Sequence, residues 1–339
     1  MAEIFLRLSP EERLEALGVA ATSSGRPLHL LEKDVWVVWA LAALFESRFA
    51  GHLVFKGGTS LSKAYQAIRR FSEDIDVTYD IRELAPDLVG DAPEALPANP
   101  SQEKKWTSTI RKRLPAWVAE QALPLIQARL KEIDVPARAE AHGEFIRIAY
   151  DALAHGKGYV APVVTLEFGA RSTGEPCAVR PVTCDAARFL SGLVWPEASP
   201  RVMRIERTFW EKATAIHVFC RQQRLRGERF ARHWHDLTRL DIAGYATKAL
   251  DDRDLARAVA RHKALFFSEK DKAGNEIDYK AAVSGDLQLV PTGRAREALE
   301  ADYDRMVEDG ILLDDVDPFA LVIDRCRAIQ ARANVGSGS

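Results

Sequence analysis

Apolar residues at Leu31, Val35, Val38, Ala42 and Phe45 recur at helical spacing, and Trp36 and Trp39 widen the stripe, so the pattern predicts a helix buried on nearly every side. Ahead of it, Ser9, Pro10 and Glu12 supply the N-cap, the first-turn proline and the capping-box partner of a short opening helix over 10–17. Residues 52–55 read as a brief strand running into Gly57 and Gly58. Thr59 is then placed to cap an amphipathic helix through Tyr65 and Ile68. Over 75–79 the period changes to two. Ile75, Val77 and Tyr79 alternate with Asp74, Asp76 and Thr78, as in a strand with one packed face and acids on the other.

Residues 85–100 hold prolines at 86, 93, 97 and 100 and no basic residue, which predicts an irregular surface loop. A helix over 114–130 and strands over 145–150 and 163–168 continue the mixed pattern. Beyond about residue 200, Ile205, Phe209, Ala213, Ile216 and Cys220 fall at helical spacing, and further helices are expected over 251–267, 293–308 and 318–331. The expected architecture is therefore α+β over 1–200, followed by a helical domain over 201–335.

Composition narrows the class. At 339 residues, 47% hydrophobic and 28% charged, the chain has ordinary globular composition, which excludes disordered and collagenous classes. The net charge of -2 excludes a uniformly basic coat, so a nucleic-acid partner would have to be met by a local patch. The longest apolar run, 35–45, is shorter than the roughly 20 residues of a membrane span, and the acidic N-terminus is unlike a signal peptide. A cytoplasmic protein without membrane contact is expected. Cys177, Cys184, Cys220 and Cys326 lack zinc-site spacing and read as reduced, packed thiols.

The chemistry concentrates in FKGGTSLSKAYQAIRRFSEDIDV, residues 55–77. Glycines at 57 and 58 let the backbone approach a phosphate. The following amides, with the Thr59 and Ser60 hydroxyls, favour an anion such as a triphosphate. Asp74 and Asp76 at i and i+2 put two carboxylates side by side on one strand face, a donor set for a hard cation such as magnesium. That combination suits metal-assisted phosphoryl transfer. Alone, a double glycine is an ordinary turn and paired acids an ordinary solvated strand. Taken in this order they reinforce each other. No GKS or GKT follows, so the motif is not a Walker A loop, and it lacks the glycine spacing of a dinucleotide fingerprint.

FKGGTSLSKAY with RFSEDIDV resembles the signature of polymerase-β-type nucleotidyltransferases, and specifically the AbiEii/AbiGii toxins of type IV toxin–antitoxin and phage-defence systems. EKDVWVVWAL before it, and RTFWEKATAIH, RHWHDLTRL, HKALFF, LQLVP and ADYDRM after it, extend the resemblance over most of the chain. The resemblance implies a polymerase-β-like domain with a mixed sheet plus a C-terminal helical domain, the active site lying in a cleft between them. It implies that Asp74 and Asp76 hold magnesium, or manganese in its place, and that Lys56, Gly57, Gly58, Thr59 and Ser60 bind the NTP. Lys212, at the margin of its helical stripe and able to extend its ammonium past the helix surface, would then bind nucleotide phosphate. Asp236 would support the catalytic centre. A third metal carboxylate is expected at Glu167 in VVTLEFGAR, with Asp151 as the alternative, and Arg207 is expected to serve either phosphate or fold. The implied reaction adds a nucleoside monophosphate to an RNA, the transfer RNA 3′ end in some relatives, and a cognate antitoxin is implied as partner. The rival readings are nucleotide transfer to a protein hydroxyl and a non-catalytic nucleotide- or RNA-binding module of the same fold.

Between 201 and 239 ten Lys and Arg face four acids, and Trp210, Phe230 and Trp234 are interleaved with them. A basic, aromatic RNA-binding segment is expected there, with His217, His233 and His235 structural or phosphate-facing.

Overall fold

A mixed seven-stranded sheet, alternating most clearly in the strands 145–150 and 163–169, forms in the first of two units into which the chain divides. The computed structural model describes residues 3–70, 72, 74–133, 135–154, 161–224, 228–312 and 316–335. The first unit comprises 1–64, 72–91 and 106–203, and the second 65–71, 92–105 and 204–339. The fold class is α+β.

In chain order the sheet strands are β1 (Leu53–Lys56), β2 (Asp74–Tyr79), β3 (Ala137–His142), β4 (Phe145–Tyr150), β5 (Val163–Gly169), β6 (Cys177–Val179) and β7 (Arg201–Met203). Their spatial order is β3-β4-β5-β2-β1-β7-β6. β2 runs parallel to β5 and antiparallel to β1, and β7 runs parallel to β1. Ile75, Val77, Ile146, Ile148, Leu166 and Phe168 are buried on one face, as the alternation predicts. The helix Leu28–Phe45 is buried almost throughout and begins one turn earlier than its apolar stripe.

Several elements differ from expectation for local reasons. The Ser9–Glu12 capping box forms, and its helix runs on to Ser24, where Gly25 closes it at φ 71°. β3 pairs residue by residue with β4 through a two-residue turn, although its sequence, ARAEAH, offers little β propensity. The expected loop over 85–100 holds the short helix Pro86–Val89, started by its proline. The helix expected over 114–130 is the later half of a longer one: Pro100–Trp117 passes through a π-helical turn, Val118–Ala122, into Leu123–Ile133.

The second unit is helical, with Ile205–Gln222, Arg232–Ile242, Arg253–Phe266, Gly293–Glu308 and Phe319–Val335 as its longer elements. Trp210 and Trp234 lie in its core, donating their indole N–H groups to the Ala249 and Leu289 carbonyls, each at 2.8 Å. Phe219 packs edge-on against Trp234 with centroids 5.1 Å apart. All four cysteines are free thiols, three of them buried, and burial pushes the Cys220 thiol up to about 12. Among the described residues no helix is long and apolar enough to cross a membrane.

Candidate active site

Strand register assembles the first constellation on the open face of the sheet. Antiparallel pairing of β1 with β2 sets Lys56 opposite Asp76. Parallel pairing of β2 with β5 sets Asp76 opposite Glu167 and Asp74 opposite Thr165. Since directly paired residues project from the same face, Lys56, Asp76 and Glu167 form one transverse row, with Asp74 and Thr165 in the next. The carboxylates sense one another. Desolvation, and then repulsion from Asp76, raise the Glu167 carboxyl above its usual range; Lys56 pulls the other way and Asp74 adds to the rise. Asp151 stands apart, past the end of β4, its amide donating to the Pro136 carbonyl.

Gly57 closes the row against the next element. It opens the helix Gly57–Lys63 at φ 76°, and a Cβ built on it would overlap Oδ2 of Asp76. Only glycine meets both conditions. The N-cap position is Lys56, with no side-chain cap bond, rather than Thr59; the glycines open the first helical turn, and the helix stops at Lys63, short of Tyr65 and Ile68. The hydroxyls expected to face a phosphate are buried and engaged: Thr59 donates to the Asp74 carbonyl at 2.5 Å and Ser60 to the Gly57 carbonyl at 2.9 Å. They fix the turn to β2. Lys63 is engaged as well, its ammonium bridging Asp34 and Asp185, while Asp34 accepts the Asp185 amide at 2.6 Å.

This face fits a divalent cation by its donor chemistry. Two carboxylates from one strand and a third from the adjacent strand suit an oxygen-ligated ion. Among the described residues no three His, Cys, Asp or Glu converge as a closed ligand set. Magnesium is commonly held by one or two carboxylates, with substrate phosphate and water completing its shell.

The second constellation lies in the helical unit. Asp236 is fully buried and receives Arg70 through two bonds, Nε to Oδ1 at 2.7 Å and Nη2 to Oδ2 at 2.9 Å. Lys212 Nζ meets Oδ2 at 2.7 Å, and His235 Nδ1 lies 3.4 Å from Oδ1. Burial alone would raise the Asp236 carboxyl; Arg70 and Lys212 more than offset it and hold it well below the usual range. Burial lowers the Lys212 ammonium, with Asp236 opposing and Arg70 adding to the drop. The expectation that Lys212 extends past its helix is thus corrected. Its ammonium turns inward, because a buried carboxylate lies in reach. Arg70 was missed in the sequence, where it reads as one of the arginine pair in RRF ahead of the acidic strand.

The basic segment is largely spent on internal pairs. Arg204 meets Glu206, Arg207 meets Glu211, Arg221 meets Asp271 and Arg239 meets Asp317. Trp210 and Trp234 are core residues, contrary to a base-stacking role, and Phe230 packs on Phe219. His217 accepts the Gln288 amide at 3.1 Å, and burial lowers its imidazole to about 4, so it is a neutral structural group. Arg224 and Arg232 are exposed, and Arg226 lies outside the described residues.

Comparison with known proteins adds three findings. A family model described as nucleotidyl transferase AbiEii toxin, type IV TA system, matches residues 39–325. No curated protein matches the chain. Among solved structures, MenT4, a nucleotidyltransferase toxin from Mycobacterium tuberculosis H37Rv, is 18% identical over 96% of this chain and 89% of that one, with a TM-score of 0.46.

Proposed function

The chain belongs to the AbiEii family of type IV toxin–antitoxin nucleotidyl transferases, and from that membership we propose that it transfers a nucleoside monophosphate from an NTP to an RNA 3′ end. The acceptor hydroxyl attacks the α-phosphorus, its proton is released, and the bond to the β-phosphate breaks to give pyrophosphate. Transfer RNA is the acceptor we favour, which would block translation; a cognate antitoxin is the partner, and the cytoplasm the site of action. The observation that carries the reading is the placement of Asp74, Asp76 and Glu167 on one open sheet face beside Gly57.

Asp74 and Asp76 are the metal ligands of this reading, and Glu167 the third carboxylate. Magnesium or manganese bound there would offset phosphate charge and make the attacking hydroxyl easier to deprotonate. Lys56 and the Gly57–Gly58 backbone are assigned to the triphosphate. Thr59 and Ser60, expected to join them, act instead by holding the turn. Lys212 and Asp236 act together with Arg70 as one buried charged group in the helical unit, Lys212 being the member assigned to nucleotide phosphate. Retention of both strand carboxylates argues against a non-catalytic module.

The test is incubation of purified protein with each labelled NTP and total RNA, with and without magnesium. Label in RNA of transfer-RNA size, dependent on the metal, is expected. Label in protein would assign a protein acceptor, and no label in either would reject the transferase reading.

A further inference from the structure

The carboxylate rows continue onto β4. Pairing of β4 with β5 sets Phe145 opposite Glu167 and Arg147 opposite Thr165. The rows on the open face are Lys56, Asp76, Glu167, Phe145 and His142, and then Asp74, Thr165, Arg147 and Glu140. Phe145 is 37% exposed and Arg147 is exposed, while Ile146 and Ile148 between and beyond them are buried. Among the described residues the Phe145 ring meets no other aromatic ring, and the Arg147 guanidinium has no hydrogen bond or ion pair. Part of the Phe145 side chain is thus presented to solvent, and the Arg147 guanidinium is not spent on the sheet.

Both positions are held rigidly. β3 and β4 are joined by a two-residue turn with Gly143 at φ 62°, which fixes the register His142 opposite Phe145 and Glu140 opposite Arg147. Phe145 therefore cannot slip to the buried face. Two strand spacings separate Phe145 from Asp76, roughly 10 Å. That is the span between a nucleotide's phosphates and the far side of its base.

Resting on the transferase reading above, we infer that Phe145 and Arg147 form a nucleobase platform beside the carboxylates, Phe145 stacking on a base and Arg147 meeting its sugar-phosphate. The ring offers a face to any base, and the guanidinium supplies the only cation of the second row. Such a platform can stack on any base, because every base presents a π-face; Glu167 and His142 are the side chains that flank Phe145 in its row. The base belongs either to the donor NTP or to the end of the acceptor strand, and the experiment separates the two.

Affinities of the full-length protein are measured for ATP, CTP, GTP and UTP, for tripolyphosphate, and for a short single-stranded oligoribonucleotide with a free 3′ end. The variants are Phe145→Ala, Phe145→Leu, Phe145→Tyr and Arg147→Gln. If the base is the donor's, Phe145→Ala and Phe145→Leu weaken the NTPs about fivefold or more and leave tripolyphosphate unchanged, while Phe145→Tyr restores binding. If the base is the acceptor's, the same pattern appears with the oligoribonucleotide instead. Leucine keeps apolar area without a π-face, so Phe145→Leu binding as tightly as Phe145→Tyr would overturn stacking. Wild-type binding that no Phe145 variant alters overturns the platform alone, whereas a wild type that binds neither nucleotide nor RNA overturns the transferase reading with it.

Discussion

The Asp76 carboxylate occupies the space that a Cβ at Gly57 would need. Gly57→Ala should therefore displace the Asp76 carboxylate and strain a backbone at φ 76°. The left-handed conformation costs a non-glycine residue about 1–2 kcal/mol. Misplacement of a catalytic group by an ångström costs about a hundredfold in rate. We expect a folded protein with transfer reduced about a hundredfold, checked by circular dichroism beside a transfer assay. Wild-type rate in Gly57→Ala would show that the Asp76 position is not critical.

Asp76→Asn removes one charge at constant volume. Transfer should be lost while the fold persists, and Asp74→Asn should behave alike. A folded Asp76→Asn with near wild-type turnover at saturating magnesium would reject the metal assignment.

Glu167 gives the same face a pH signature. Its folded-state carboxyl lies above the ordinary range, by desolvation first and Asp76 second. For an acid raised on folding, the penalty is full above the folded pKa and vanishes below the unfolded one. Without metal, wild type should therefore gain stability relative to Glu167→Gln as pH falls from neutral toward the ordinary carboxylate range. Thermal melts of both in chelator check this, and parallel curves would reject mutual repulsion.

How much of this site the sequence discloses depends on the range of the interaction involved. The Asp74–Asp76 pair is a period-two pattern, readable from neighbours alone. The partners of β2 are not: Glu167 and Phe145 join Asp76 through strand pairings that no local pattern specifies. Ion pairs are less legible still. Lys63, Asp34 and Asp185 are separated by long stretches of chain, as are Arg70 and Asp236. Each looks like an ordinary surface charge until the fold buries it, which is why Lys212 appears free and Thr59 appears exposed.

The two lysines should consequently part in stability as well as binding. Lys63→Ala leaves Asp34 without its cation, although Asp185 keeps Arg26, whereas in Lys212→Ala the Asp236 carboxylate keeps Arg70 through two bonds. Breaking a buried pair costs about 3–5 kcal/mol. Lys63→Ala should approach that loss in urea denaturation and Lys212→Ala should lose less. If Lys212 serves the nucleotide, its alanine variant should also bind NTP at least about tenfold more weakly. Unaltered NTP affinity in a folded Lys212→Ala would leave it a purely structural partner of Asp236.

RNA binding tests the remaining positive charge. Since Arg204, Arg207, Arg221 and Arg239 are committed to internal carboxylates, the described cations of the segment still open to a polyanion include Arg224 and Arg232. Each phosphate contact to a single strand contributes about 0.7 to the slope of log affinity against log salt. Reversal of Arg224 and Arg232 to glutamate should therefore flatten that slope by roughly 1.4 or more and weaken RNA binding. NTP affinity should hold in Arg224→Glu, which leaves Asp74, Asp76, Lys56 and Lys212 untouched, whereas Arg232 acts on the Lys212 ammonium. The measurement is RNA affinity across a salt series for wild type and the double variant, with the NTP affinity of Arg224→Glu alongside. An unchanged slope would mean that these arginines are solvated surface, and that the acceptor is gripped elsewhere, with Arg147 the next cation to reverse.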